Sequence, residues 1–185
     1  MKDLDIAIGL TLEVEGNWSN HPKDPGGKTL FGITIKTWRR AIWRGIVPDR
    51  GGLRSMTVGD ARKIYEVMYW GVAGRDLPRG LNALVFDVEV NSGRGGIVLQ
   101  RALNTVGPVG LSRLTIDGAI GPRTLAVVDR AVAAPDGIWK LLAEVDARRD
   151  WWWDRLRINR TFGFGWNRRG SRVLVHAVRM AVGDL

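Results

Sequence analysis

Apolar positions along the chain fall into helix-length blocks divided by glycine, proline and asparagine. In residues 4–15, Leu4, Ile8 and Leu12 follow helical spacing, while Ile6, Ile8, Leu10, Leu12 and Val14 also alternate as in a strand. Asp3 as an N-cap, Gly16 as a stop and the length of the block favour a helix. Residues 21–34 hold too much glycine and proline for a long helix and predict an ordered loop or a short irregular β-ribbon. Thr34 then caps a helix to about Arg44, closed by Gly45. Thr57 and Asp60 form a capping-box start, with Asp where Glu is usual, for a helix to about Trp70. Residues 81–91 read as a buried helix ended by Gly93, and residues 96–104 as another. Asp117 and Gly118 make a turn. Pro122 opens a helix whose inner face is Leu125, Val128 and Val132, and Pro135 with Asp136 opens a long one to about Ile158. Residues 161–166 read as a loop and residues 173–182 as a last helix. The class is mainly α.

Composition narrows the picture. At 185 residues, with 45% hydrophobic and 25% charged, the chain can bury a real core and has room for one domain, or one with a small appendage. Cysteine is absent, which excludes a disulfide scaffold, a Cys-ligated zinc and a thiol nucleophile; two histidines make a His-based metal site or triad a poor expectation. No metal and no cofactor is expected. The net charge of +9 attracts polyanions, whether nucleic acid, anionic membrane or acidic wall polymer. No apolar run approaches the roughly 20 residues of a membrane span, and the first residues lack the pattern of a secretory signal. A chain made in the cytoplasm, released by other means if it works outside, is the expectation.

Candidate chemistry concentrates near the first helix. At ~100° per residue, Glu13 and Glu15 point about 200° apart and cannot share one site. Glu15 continues the stripe of Ile8 and Leu12 toward the protein body. Apolar surroundings and the helix C-terminal end both push its carboxyl toward the protonated form, which a glycosidase acid requires. Asp24, on the following loop, can stay ionised as a stabiliser or base; Thr29 can hold an attacking water; Gly26, Gly27 and Gly32 allow close approach of a sugar chain. By spacing alone, a Glu at a helix end is ordinarily structural and an Asp before Pro-Gly-Gly ordinarily a turn former.

Glu15-Gly16, Asp24-Pro25-Gly26-Gly27, Thr29 and Gly32-Ile33-Thr34 together resemble the opening of glycoside hydrolase family 108, the phage-type N-acetylmuramidases. The similarity continues through Tyr65, Tyr69, Trp70, Phe86, Asp87, Asn91, Ser92, Gly93, Leu99, Gln100, Leu103 and Asn104. The stretch from Asp117 through Gly118, Gly121, Pro122 and Thr124 to Leu125 resembles the peptidoglycan-binding segment of such endolysins. The resemblance implies a lysozyme-like helical fold, with a catalytic muramidase region at 1–93 and a helical peptidoglycan-binding-like region at 94–185 packed against it. It implies cleavage of the β-1,4 bond between N-acetylmuramic acid and N-acetylglucosamine in phage-type lysis or wall penetration, by a monomer synthesised in a bacterial host and acting in the periplasm, on the wall or as a particle component. Glu15 inherits the acid role. Asp24 and Thr29 follow by analogy with the Glu, Asp and Thr of phage lysozymes, and Thr34 rivals Thr29 because Thr29 comes one residue early. Asn17 stands where many members have a second glycine.

Other residues are candidates for substrate contact. Trp18 and Trp70 are groove candidates, and Tyr69 and Asn91 suit the N-acetyl groups of the glycan strand. Trp151, Trp152 and Trp153 cannot all face one side of a helix. His21 could tune Asp24, although a solvent-facing loop role is the default, and His176 is structural. Asp87 and Glu89 sit in an apolar stretch, where a buried carboxylate needs a donor such as Arg. Nine arginines from Arg148 to Arg179 suggest a wall-attracting patch: Arg148, Arg149, Arg155, Arg157, Arg160, Arg168, Arg169, Arg172 and Arg179. No nucleic-acid-binding signature accompanies the charge. A lytic transglycosylase, which needs only one Glu, and a non-catalytic wall-binding protein are the alternatives.

Overall fold

The computed structural model describes residues 3–15, 18–19, 27–107, 113–155 and 159–185, with only the backbone described at 13–15 and 159–168. It is mainly α, with a small antiparallel sheet, and the lysozyme-like helical fold expected from the sequence is present. Two compact units divide at residues 71 and 72.

The unit of residues 2–71 begins with α1 (Asp3–Glu15). Ile6, Ala7, Ile8, Leu10 and Thr11 are all buried, so the helix is covered on more than one side. That is why its apolar residues alternate as well as recur at helical spacing. Three two-residue strands follow: β1 (Trp18–Ser19), β2 (Thr29–Leu30) and β3 (Ile33–Thr34), in the order β1-β2-β3. The β2–β3 turn places Phe31 at φ 50 and Gly32 at φ 74, the paired positive values of a tight hairpin turn. Thr34 accepts from the Thr37 N–H at 3.1 Å and so caps α2 (Ile35–Trp43). A 3-10 turn (Leu53–Ser55) leads to α3 (Val58–Tyr65), where Thr57 and Asp60 close the anticipated capping box. The helix then widens into a π turn (Glu66–Trp70) before α4 (Gly71–Ala73), in which the unit boundary falls.

The unit of residues 72–185 is built from α5 (Leu81–Ser92), α6 (Gly95–Val106), α7 (Pro122–Ala133), α8 (Gly137–Asp154) and α9 (Asn159–Ala181). Leu81, Leu84, Val85, Leu99, Leu103, Val128, Leu141 and Val145 form its core. Gly93 ends α5 in the left-handed conformation (φ 63), and Glu89 accepts the Gly95 N–H at 2.8 Å across that corner. The buried face of α7 runs Thr124, Val128, Ala131, with Leu125 and Val132 packed at its margin rather than beneath it. One expectation fails. Residues 161–166, read as a loop, lie within the helix α9. Interior glycine costs a helix only about 1 kcal/mol each, and the buried side chains of Arg169, Val173, Ala177 and Met180 tie the following turns into the unit. Among the described residues, no helix is long and apolar enough to cross a membrane.

Candidate active site

The β-ribbon gathers the candidates of the N-terminal unit. Strand pairing sets Ser19 opposite Thr29 and Thr29 opposite Thr34, so three hydroxyl residues lie in one row across the sheet. Trp18, Leu30 and Ile33 form the adjacent row, and because side chains alternate along a strand they take the opposite face. Thr29 and Thr34, rivals by spacing, are thus direct cross-strand neighbours. Their hydroxyls differ. That of Thr34 accepts from the Thr37 N–H and donates to the Thr37 hydroxyl at 3.1 Å, whereas that of Thr29 meets no hydrogen-bond partner among the described residues.

A strained turn holds this row in place. Phe31 sits in the left-handed region, which costs a non-glycine residue about 1–2 kcal/mol. The Tyr65 hydroxyl donates to the Phe31 carbonyl at 2.8 Å and fixes the turn from α3. Tyr65 was legible only as part of a family-like pattern; its anchoring role was missed because its partner lies 34 positions away. Tyr69, half-buried on the π turn, packs beside it with ring centroids 5.8 Å apart. Trp18 is 37% exposed, with the Arg54 guanidinium 4.3 Å from its ring centre. Trp70 is buried, so its ring presents no open face for a sugar.

Glu15 is the last residue of α1, three positions before the ribbon, and its side chain lies outside the described residues. Asp24, His21 and Asn17 also lie outside them. Asn91 belongs to the other unit, where its amide donates to the Asp87 carbonyl at 2.7 Å and carboxylate at 3.2 Å. Among the described residues, no group of three or more His, Asp or Glu gathers as metal ligands.

The family model of Glycosyl hydrolase 108 matches residues 8–93. A solved structure, that of Brucella abortus SagA, is 33% identical, with a TM-score of 0.77 over 96% of this chain and 95% of that one. The chain belongs to glycosyl hydrolase family 108. No curated protein matches it. Membership makes this a glycoside hydrolase and supports a peptidoglycan hydrolase in general. The family 108 match spans Glu15, Asp24, both threonines, Tyr69, Trp70 and Asn91, and ends at the glycine that terminates α5.

The wall-binding-like motif lies beyond that match, and its polar groups are engaged within the unit. Gln100 donates to the Asp117 carboxylate at 2.7 Å and the Ala119 carbonyl at 3.0 Å, and accepts from the Gly118 N–H at 2.8 Å. The Gln100 amide most, and then the Ala119 N–H, hold the Asp117 carboxyl below the usual carboxylate range against the effect of burial. Thr124 donates to the Ala119 carbonyl, and Asn104 clamps both the N–H and the carbonyl of Leu114. Gly96 admits the turn: a β-carbon there would lie 1.9 Å from the Gly118 carbonyl oxygen.

The arginine group divides in the same way. Arg149 and Arg169 are buried and paired, Arg149 with Asp146 and Asp150, Arg169 with Asp87 at 2.8 Å. Arg148 bonds Glu144 and Thr105. Arg155 stacks on Trp151 and Arg94 on Trp152, while Trp153 is buried beside Arg149. Arg157, together with the side chains of Arg160 and Arg168, lies outside the described residues. His176 is half-buried, its ring beside the Arg172 carbonyl.

Proposed function

We propose that this family 108 chain is an N-acetylmuramidase, cleaving the β-1,4 bond between N-acetylmuramic acid and N-acetylglucosamine by general acid catalysis. Glu15 donates its proton to the glycosidic oxygen as the bond to the sugar carbon breaks. Asp24, ionised, stabilises the oxocarbenium-like centre. Water then adds to that carbon and gives up a proton that restores the Glu15 acid, completing the hydrolysis with water as the co-reactant. Thr29 orients the water, with Trp18 and Tyr69 along the strand of sugars. Residues 1–93 carry the chemistry and residues 94–185 the wall-binding-like region.

The observation that carries this reading is the row Ser19–Thr29–Thr34. It joins the two ends of the segment bearing Asp24, begins close behind Glu15, and leaves the Thr29 hydroxyl without a partner among the described residues while Thr34 is committed to capping α2. Glu15→Gln should abolish clearing of purified sacculi and leave the circular dichroism unchanged. Wild-type digests should carry new reducing ends. Retained clearing by Glu15→Gln ends the assignment of the acid, and 1,6-anhydro ends in the wild-type products would replace hydrolysis by a transglycosylase reaction.

A further inference from the structure

The outer side of α2 bears an open depression of about 550 Å³ that none of the residues proposed for the chemistry lines. Trp38, Arg39, Ile42 and Trp43 form one side of it, Asp49 and Gly51 the other. The floor is hydrogen-bonded in place. Buried Trp38 donates its indole N–H to the Gly51 carbonyl at 3.3 Å, and the Asp49 carboxylate accepts the Gly51 N–H at 2.9 Å. The rim is otherwise: Trp43 is 84% exposed, the most exposed aromatic among the described residues. A large indole left in water on a preformed concave surface marks a place where something binds.

The chemistry of the occupant follows from the surroundings. Lys36, Arg39, Arg40 and Arg44 are exposed on or next to α2, which contains no acidic residue. A flat aromatic face beside charged hydrogen-bonding groups suits a pyranose ring, and the basic side chains suit the stem-peptide carboxylates that such a glycan carries in the wall. A lipid surface fits less well, because the wall of the depression is concave and carries Asp49. Resting on the peptidoglycan reading above, we propose that this depression is a second, non-catalytic binding site for the glycan strand, with Trp43 stacking on a sugar ring and Arg39 meeting the carboxylates.

The test uses the full-length chain. Retention of Glu15→Gln on purified sacculi is compared with that of Glu15→Gln/Trp43→Ala and Glu15→Gln/Arg39→Glu. Trp43→Ala should weaken retention about fivefold or more by removing the stacking face, and Arg39→Glu should weaken it most at low salt. In the otherwise wild-type chain, Trp43→Ala should raise KM on sacculi and leave kcat on a short soluble oligosaccharide of alternating N-acetylglucosamine and N-acetylmuramic acid unchanged. Unchanged retention overturns the proposal. So does a Trp43→Ala variant that loses binding to phosphatidylglycerol vesicles while holding sacculi normally. The catalytic assignment fails separately, through clearing by Glu15→Gln, and retention does not depend on that result.

Discussion

The two compact units differ in how the residues singled out from the sequence are used. In residues 72–185, Gln100 and Asp117 bond each other, Gln100, Asp117 and Thr124 bond the backbone of Gly118 and Ala119, Asn104 bonds that of Leu114, and Asp87, Asp146, Arg149 and Arg169 form ion pairs. In residues 2–71 the hydroxyl of Thr29 stands in register without a partner among the described residues, Trp18 and Trp43 are exposed, and Phe31 holds strain. The segment of residues 117–125 is therefore held as a folding device, whereas groups without a partner among the described residues are the better guide to chemistry.

The largest effect expected outside the proposed catalytic acid lies in the unit of residues 72–185. Asp87→Ala strips buried Arg169 of the carboxylate oxygen it meets at 2.8 and 3.0 Å, and removes an acceptor from Asn91. Breaking a buried pair from one side costs about 3–5 kcal/mol, to be read as a lower urea midpoint. A loss below about 1 kcal/mol, the usual range of an exposed pair, would undo the contrast between the units.

The two threonines give the next test, within the ribbon. Thr29→Val should lower kcat roughly ten- to a hundredfold, the scale of a misplaced reactant, with stability nearly unchanged. Thr34→Val should do the reverse, losing about 1 kcal/mol of stability as a helix cap is removed while kcat stays near wild type. Equal behaviour of the two would remove the reason for preferring Thr29.

How much of this could be seen in the sequence depends on range. Caps and stops are local, so Thr34, the Thr57 and Asp60 box, Gly93 and Pro122 were all legible. The glycines of residues 161–166 suggested a loop because propensity is a weak prior that tertiary packing overrides. Strands of two residues carry no periodic signal, so the alignment of Ser19, Thr29 and Thr34 could not be read in advance. Nor could the pairing of Asp87 with Arg169 across 82 positions; only the need of a buried carboxylate for a donor was foreseeable. Glu15 and Asp24 rest on resemblance because neither spacing nor propensity distinguishes an acid catalyst from a helix-end residue.

Tyr65→Phe removes the hydroxyl that fixes the Phe31 carbonyl. The expected cost is about 1 kcal/mol for the lost hydrogen bond, accompanied by a fall in kcat, since a relaxed turn lets Thr29 drift from its register with Thr34. If stability falls and kcat on the folded enzyme does not, the strain at Phe31 serves the fold alone.

The smallest effects separate two carboxyls, one in each unit, by the sign of their response to acid. Burial pushes the Asp60 carboxyl up, but the Thr57 N–H and hydroxyl together with Arg50 outweigh it and hold the group below the usual carboxylate range. Its folded form thus binds a proton less readily than its unfolded form. The stability it supplies is complete above the unfolded value of about 3.9 and is lost as pH falls through the lower folded value. Burial raises the Asp146 carboxyl in the other unit, and neighbouring Asp150 and Asp87 add to the rise against the pull of Arg149. Its ionised form therefore opposes folding near neutral pH, and that opposition fades as pH falls through the raised folded value toward the unfolded range. Urea midpoints across mildly to strongly acid pH should show Asp60→Asn with a shallower loss than wild type at the acid end. Asp146→Asn should differ from wild type in slope at the milder end instead. A wild-type slope at the acid end in Asp60→Asn would mean that the capping box acts through its neutral hydrogen bonds alone, leaving Asp146 without a counterpart of opposite sign in the capping box.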